Sequence, residues 1–441
     1  MRPASGLSGW GRFPVRDCRV STPRTPEAVR AQLRAGPAVA RGNGRAYGDS
    51  ALNPRNTISM RGFDRMLAFD PDTGQLVAEA GVLLGDVIAA FLPRGWFPPV
   101  TPGTKFVTLG GMIAADVHGK NHHKDGSFGA FVDWVDVMAP DGTVHRAAAD
   151  DPLHGWTIGG MGLTGVILRA AIRLRPVETG WIRQETRPAP DLDSAMATME
   201  TGLDATYSVA WIDCLAQGRA MGRSIVMFGE HARVDELPAR LRRSRWGRVK
   251  KKRSVPFDAP GFALNAVTVK AFNALYYAAG RRKAGTAHVD WDTYFYPLDA
   301  ILGWNRIYGR KGFLQFQCVL PMESARAGLA AILKATATAG QGSFLAVLKR
   351  FGPQDSRFSF PMEGYTLALD FPVRPATLNL MDRLDRITLD HGGRFYLAKD
   401  ARMSAETFRA ADPRVAEFTA MRTGTGASDV FVSAQSERLA L

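Results

Sequence analysis

The chain has 441 residues, 46% apolar and 22% charged, with 24 Phe, 9 Trp and 9 Tyr, which excludes a disordered or collagen-like polypeptide and predicts two or three domains at about 150 residues each. Cys18, Cys214 and Cys318 are odd in number and widely spaced, which excludes a disulfide framework and a cysteine zinc site and predicts a reducing compartment. Lys and Arg exceed Asp and Glu by 14, yet residues 240–253 alone hold nine basic side chains and no acid, leaving only +5 for the rest.

The amino terminus, MRPASGLSGWGRF, lacks the apolar core of a secretory signal, and no window approaches 18 uninterrupted apolar residues. A cytoplasmic protein is therefore expected. A Thr-Pro start and amphipathic spacing predict a helix over 25–35. After Ala38-Val39 comes ARGNGRAYGD, residues 40–49, whose clustered glycines let backbone N–H groups converge on phosphate oxygens, with Arg41 or Arg45 adding charge. A tight structural turn explains the same residues equally well.

TPGTKFVTLGG, residues 101–111, leads into His118-Gly-Lys-Asn-His-His123. His118 and His122 have an i, i+4 spacing, but Gly119 and Asn121 oppose a helix and no HExxH glutamate or cysteine is near, so no metal site is expected. A polar loop lining a cofactor is the economical reading. Gly160, Gly162 and Gly165 formally match GxGxxG. A dinucleotide fingerprint must open a helix, whereas the residues that follow, Val166 to Leu174, alternate in the manner of a half-buried strand.

The basic run 240–253 reads as a solvated loop or as a cation cluster for phosphates. Trp246, Phe257 and Phe262 tilt the functional reading towards an anionic membrane surface rather than nucleic acid. GFLQFQCVLP and YTLALDFPV read as strands, with helices over 324–339 and 376–390. Gln315 and Gln317 share a strand face, Lys349 lies among apolar residues, and Lys399 follows Tyr396. A lysine in a dry pocket can stabilise a developing alkoxide. No GxSxG elbow, P-loop or zinc-finger spacing appears, which weighs against hydrolase and NTPase functions.

Taken in order, ARGNGRAYGD, TPGTKFVTLGG, HGKNHHKDGSFG, GGMGLTG, FLQFQ, LKRFGP and FYLAKD resemble the FAD-dependent decaprenylphosphoryl-β-D-ribose 2′-oxidases of the vanillyl-alcohol-oxidase-like superfamily, over nearly the whole chain. The resemblance implies an α+β fold. A two-part FAD-binding domain would comprise residues 1–179 and a returning segment, 394–441, around a substrate-binding domain on an antiparallel sheet, 180–393. It implies flavin contacts from Arg41, Gly42, Asn43, Gly44, Arg45, Ala46, Tyr47 and Gly48, joined by Gly103, Thr108, Leu109, Gly110 and Gly111. His118, Gly119, Lys120, Asn121, Ile167 and Tyr396 complete that set. Substrate contacts are implied for Lys120, Trp211, Gln317, Lys349 and Lys399. Lys399 would position the reacting hydroxyl and stabilise negative charge, with Tyr47 assisting proton movement.

The implied activity oxidises the ribose 2′-hydroxyl of a polyprenyl-phosphoryl ribose to a ketone. This is the first half of an epimerisation to the arabinose donor for cell-envelope glycan, completed by a short-chain reductase. Residues 240–253 would hold the enzyme peripherally on the inner face of the plasma membrane. Related oxidases attach FAD through a histidine in the first glycine loop; Arg45 stands there, so non-covalent FAD is expected. Ala368 replaces a family cysteine, Phe295 a tyrosine and Thr366 an asparagine. A soluble sugar, alditol or aldonolactone oxidase of the same fold is the alternative reading, and a basic nucleic-acid-binding protein the remote one.

Overall fold

The computed structural model describes residues 2–247, 252–260 and 264–441. Part of the basic run, 248–251, and Phe262 lie outside these residues.

Among the described residues three larger sheets organise the chain. The first orders Arg2–Ser8, Val15–Ser21, Thr57–Ser59 and Val39–Arg41, and the second orders Met66–Asp70, Gln75–Glu79, Val166–Arg173, Val132–Met138 and Val144–Ala148. The third has eight strands: Gly285–Asp290, Trp181–Ala189, Ser224–His231, Tyr207–Ile212, Ala346–Phe351, Gly364–Pro372, Phe313–Pro321 and Arg394–Phe395. Every pairing in this sheet is antiparallel. The helices Leu192–Glu200, Met322–Thr338 and Pro375–Asp390 cover it and bury the largest apolar core.

Local signals explain the element ends. Thr25 Oγ1 accepts the Ala28 N–H at 3.3 Å and Pro26 opens the helix Pro26–Arg34. The helix expected from 324 starts at Met322, directly after Pro321, because Ser324 Oγ is committed to the His391 carbonyl at 2.6 Å and caps nothing. Val166–Arg173 is the strand that follows the GxGxxG match, and it is more buried than alternation suggested. It lies between two strands, and only Arg169 and Arg173 are exposed.

The carboxyl-terminal segment closes onto the amino-terminal region. Arg394–Phe395 pairs with Phe313–Pro321, and three residues later the Ala398 carbonyl accepts the Tyr47 N–H at 2.9 Å. Further on, Val432 N donates to Ala38 O and Ala434 N to Leu52 O. At Gly48 a Cβ would stand 2.0 Å from the Asp400 carbonyl oxygen, so glycine permits this contact.

Candidate functional site

A cavity of about 390 Å³ runs between the first sheet, the loop 101–111, the strand Val166–Arg173 and one face of the eight-stranded sheet. One end is the glycine loop: Gly42, Asn43, Gly44, Arg45, Ala46 and Tyr47 all line it. Gly42 approaches Thr108 so closely that a Cβ would meet Thr108 Oγ1 at 2.2 Å, and Gly44 has φ +64. Among the described residues, the backbone N–H groups of Asn43 to Ala46 donate to no main-chain carbonyl. Asn43 Nδ2 ties the loop to the Phe106 carbonyl at 2.7 Å. The Arg45 guanidinium lies 4.1 Å from the Trp10 ring centroid, and its buried Nε has no partner. Free donors, a fixed cation and no Cβ at the closest approach fit a diphosphate.

Gly103, Thr108, Gly110 and Gly111 continue the wall, with His118, Lys120, Ile167 and Tyr396 beyond them. Five of the residues expected at the cofactor do not line the cavity. Arg41 turns away, donating to the Ser8 carbonyl at 2.7 Å and the Ala51 carbonyl at 3.3 Å. Gly48 packs on Asp400, and Leu109 is wholly buried in the core. Asn121 is spent on the Pro99 carbonyl and Asp125, and a Cβ on Gly119 would strike Asn121 Oδ1. These five residues therefore shape the loops from behind.

The other end is built on strand register. Alternate residues share a strand face, so Gln317 opposite Ala368 and Gln315 opposite Asp370 present one polar row, with Lys349 opposite Thr366 alongside. Gln317 Nε2 donates to Thr366 Oγ1 at 3.2 Å and meets His118 Nε2 at 3.0 Å. His118 Nε2 must then accept, which puts the proton on Nδ1, a buried atom without a partner. Burial, followed by the charge of Lys349, pushes the His118 pKa well down, so the ring is neutral. Trp211 Nε1 donates to the Phe344 carbonyl at 3.1 Å and its ring lies 4.7 Å from that of Tyr276; both line the cavity.

Three lysines share this end. Burial lowers Lys120 to about 7, helped by Lys349, and lowers Lys349 itself to about 8. Lys120 Nζ donates to the Tyr294 carbonyl and sits over the Tyr294 ring. Lys399 Nζ is 3.7 Å from the Tyr47 ring centroid. Its pKa is lowered by burial, held up by the Asp370 carboxylate and lowered again by Lys349. Asp370 is fully buried; Gln315 donates to its Oδ1, and burial raises its pKa. Sequence reasoning missed Asp370, because only the pairing of Phe313–Pro321 with Gly364–Pro372 brings it next to Gln315. Burial, with Asp370 adding, also raises Tyr47 well above the usual phenol range.

Among the described residues no three His, Cys, Asp or Glu side chains gather to hold a metal ion. His122 Nε2 is 2.7 Å from Gln354 Oε1 and His123 Nε2 is 2.8 Å from the Ala205 carbonyl. All three cysteines are buried and none lines the cavity, where Ala368 presents a methyl group. Native protein exposed to iodoacetamide should therefore keep its mass; a rapid adduct would contradict this burial.

A model of an FAD binding domain matches residues 19–148. The chain is 37% identical to decaprenylphosphoryl-β-D-ribose oxidase of Mycolicibacterium smegmatis over 99% of its own length and 97% of that protein. An uncharacterised protein of Streptomyces coelicolor is 34% identical over 79% of the chain and 97% of its own length. D-lactate dehydrogenase of Anaerostipes hadrus is 27% identical over 32% of the chain and 31% of its own length.

Proposed function

The chain belongs to the decaprenylphosphoryl-β-D-ribose oxidase family, and we propose that it oxidises the ribose 2′-hydroxyl of a polyprenyl-phosphoryl-β-D-ribose to the ketone. It is an FAD-dependent oxidoreductase acting on a CH–OH group. The observation that carries the reading is one cavity joining the phosphate-ready loop Asn43–Ala46 to the amines of Lys120, Lys349 and Lys399.

In this reading residues 1–179 and 394–441 form the flavin-binding part and 180–393 the substrate part. Asn43 to Ala46 and Arg45 hold the FAD diphosphate, Gly42 and Thr108 fix the loop that carries them, and His118 and Tyr396 line the ring end. The chemistry that FAD would supply there, when bound, is a hydride acceptor for the carbinol carbon. The hydroxyl proton must leave as well. Tyr47, with its raised pKa, stays protonated and serves only to pass or donate a proton. Lys399, with its lowered pKa, has a neutral amine available to orient the hydroxyl and take its proton, and Asp370 then balances the resulting ammonium. Lys120 and Lys349 supply charge for the phosphodiester, Gln317 a hydrogen bond to the sugar, and Trp211 with Tyr276 an apolar wall for the prenyl chain.

The ketone is the substrate of a short-chain reductase that completes the epimerisation to the arabinose donor. The cations of 240–253 favour work at the inner face of the plasma membrane. A free-sugar or alditol oxidase has no use for three amines in its substrate cavity.

Among the described residues His118 is the only histidine lining the cavity, its Nε2 is engaged by Gln317, and no cysteine lines it, which supports FAD held without a covalent bond. Acid precipitation should leave a colourless pellet and a yellow supernatant, and a yellow pellet would contradict this. Anaerobic mixing with polyprenyl-phosphoryl ribose should bleach the flavin bands. Flavin that stays oxidised with this substrate but bleaches with free pentoses would replace the proposal with the sugar-oxidase reading.

A further inference from the structure

The helix Ala266–Arg282 is built inside out. A surface helix normally turns its apolar stripe to the core, yet only Val269 and Asn273 are buried here. Val267 is 76% exposed and Leu275 72%, and Phe272 is exposed beside them. At 100° per residue, Val267, Ala271, Leu275, Ala278 and Ala279 form one outward stripe, and all five are exposed. Lys270, Arg281 and Arg282 flank it.

The helix itself carries charge of one sign. Residues 259–289 contain four cations, Lys270, Arg281, Arg282 and Lys283, and no acid. The strand Arg253–Ser254 pairs with Ile301–Leu302, which are themselves exposed, and Phe257 nearby is 69% exposed. Trp246, by contrast, packs against the core of the second sheet and offers nothing to solvent chemistry. The inner side of the helix meets the cavity, where Tyr276 packs on Trp211.

We propose that the helix Ala266–Arg282 is the surface on which the protein seats itself in an anionic lipid leaflet, Val267, Phe272 and Leu275 entering the interface. Exposed aliphatic side chains among cations suit a bilayer, which offers apolar depth behind its phosphates. A nucleic acid offers phosphates without that depth. No described helix is long and apolar enough to cross a membrane, so the helix lies in the interface plane. The Tyr276 and Trp211 end of the cavity then faces the lipid, and a prenyl chain passes from leaflet to cavity with little exposure to water. This rests on the lipid-linked substrate proposed above.

The test uses flavin-loaded full-length protein and vesicles free of sugar lipid, so that docking and oxidation fail separately. The protein should sediment with phosphatidylcholine–phosphatidylglycerol vesicles and not with phosphatidylcholine alone. The double variant Val267→Ser/Leu275→Ser should lose roughly tenfold in partitioning, with unchanged oxidation of a soluble short-chain ribosyl phosphate. Leu275→Trp emission should shift to the blue on adding anionic vesicles. Undiminished binding by the double variant, an unshifted Leu275→Trp spectrum, displacement from vesicles by a DNA duplex, or a dimer that the double variant abolishes would each overturn the proposal.

Discussion

Lys399→Ala is expected to lower turnover by roughly 10²–10⁴-fold while leaving FAD bound, because it removes the one amine that both touches Tyr47 and is balanced by Asp370. Stopped-flow bleaching under anaerobic conditions reads the step directly, and unchanged bleaching would remove Lys399 from the chemistry. The pH profile separates its two possible roles. If the neutral amine takes the proton, kcat/KM falls as pH drops through the lysine's pKa. The Asp370 carboxylate holds that pKa up against burial, so Asp370→Asn lowers it and moves the acidic limb to lower pH. Were the ammonium the active form, the rate would fall instead on the alkaline side, and Asp370→Asn would bring that limb to lower pH.

Arg438→Ala is expected to cost about 3–5 kcal/mol of stability and to loosen FAD, although residue 438 lies outside the cavity. The Arg438 guanidinium donates to Asp49 Oδ1 and to Asp400 Oδ2, each at 2.8 Å, and both carboxylates are buried, with side chains 3% and 8% exposed. Asp49 ends the glycine loop and Asp400 follows Lys399, so one side chain clamps the two ends of the site. Without it, two carboxylates face each other in a poorly hydrated space, and the Asp49 pKa, already raised by burial and held down by Arg438, rises further. The deficit should therefore be greatest above neutral pH and shrink as pH falls through the Asp49 pKa, where that carboxylate becomes neutral. Thermal denaturation of variant and parent across pH, with flavin release monitored in parallel, checks this. A deficit independent of pH would mean that Arg438 acts through packing alone.

Much of this site was legible beforehand. The glycine spacing of ARGNGRAYGD marked a loop able to approach phosphate, and period-two patterning in GFLQFQCVLP and YTLALDFPV placed Gln315 and Gln317 on one strand face. Arg41 shows the limit of that reading. It carries the same charge as Arg45 four residues on, but the Ser8 and Ala51 carbonyls claim it, and nothing near it in the chain announces this. Asp370 was passed over for a similar reason, since its neighbours Gln315 and Lys399 lie 55 and 29 positions away. No helix was expected over 266–282, and only the packing shows that its stripe of Val267, Ala271 and Leu275 faces outward.

Local chemistry, then, is what the sequence by itself determined: where some of the strands and helices run, where glycine lets segments approach closely, where cations cluster along the chain, and which family the motifs resemble. Such features depend on neighbours within one or two turns, whose spacing the chain carries covalently. Tertiary structure alone decided that residues 43–46, 120, 349 and 399 border one cavity, and that three lysines there lose part of their affinity for protons. A pKa answers to solvent exclusion and to charges a few ångströms away, and both are created only when distant segments pack together.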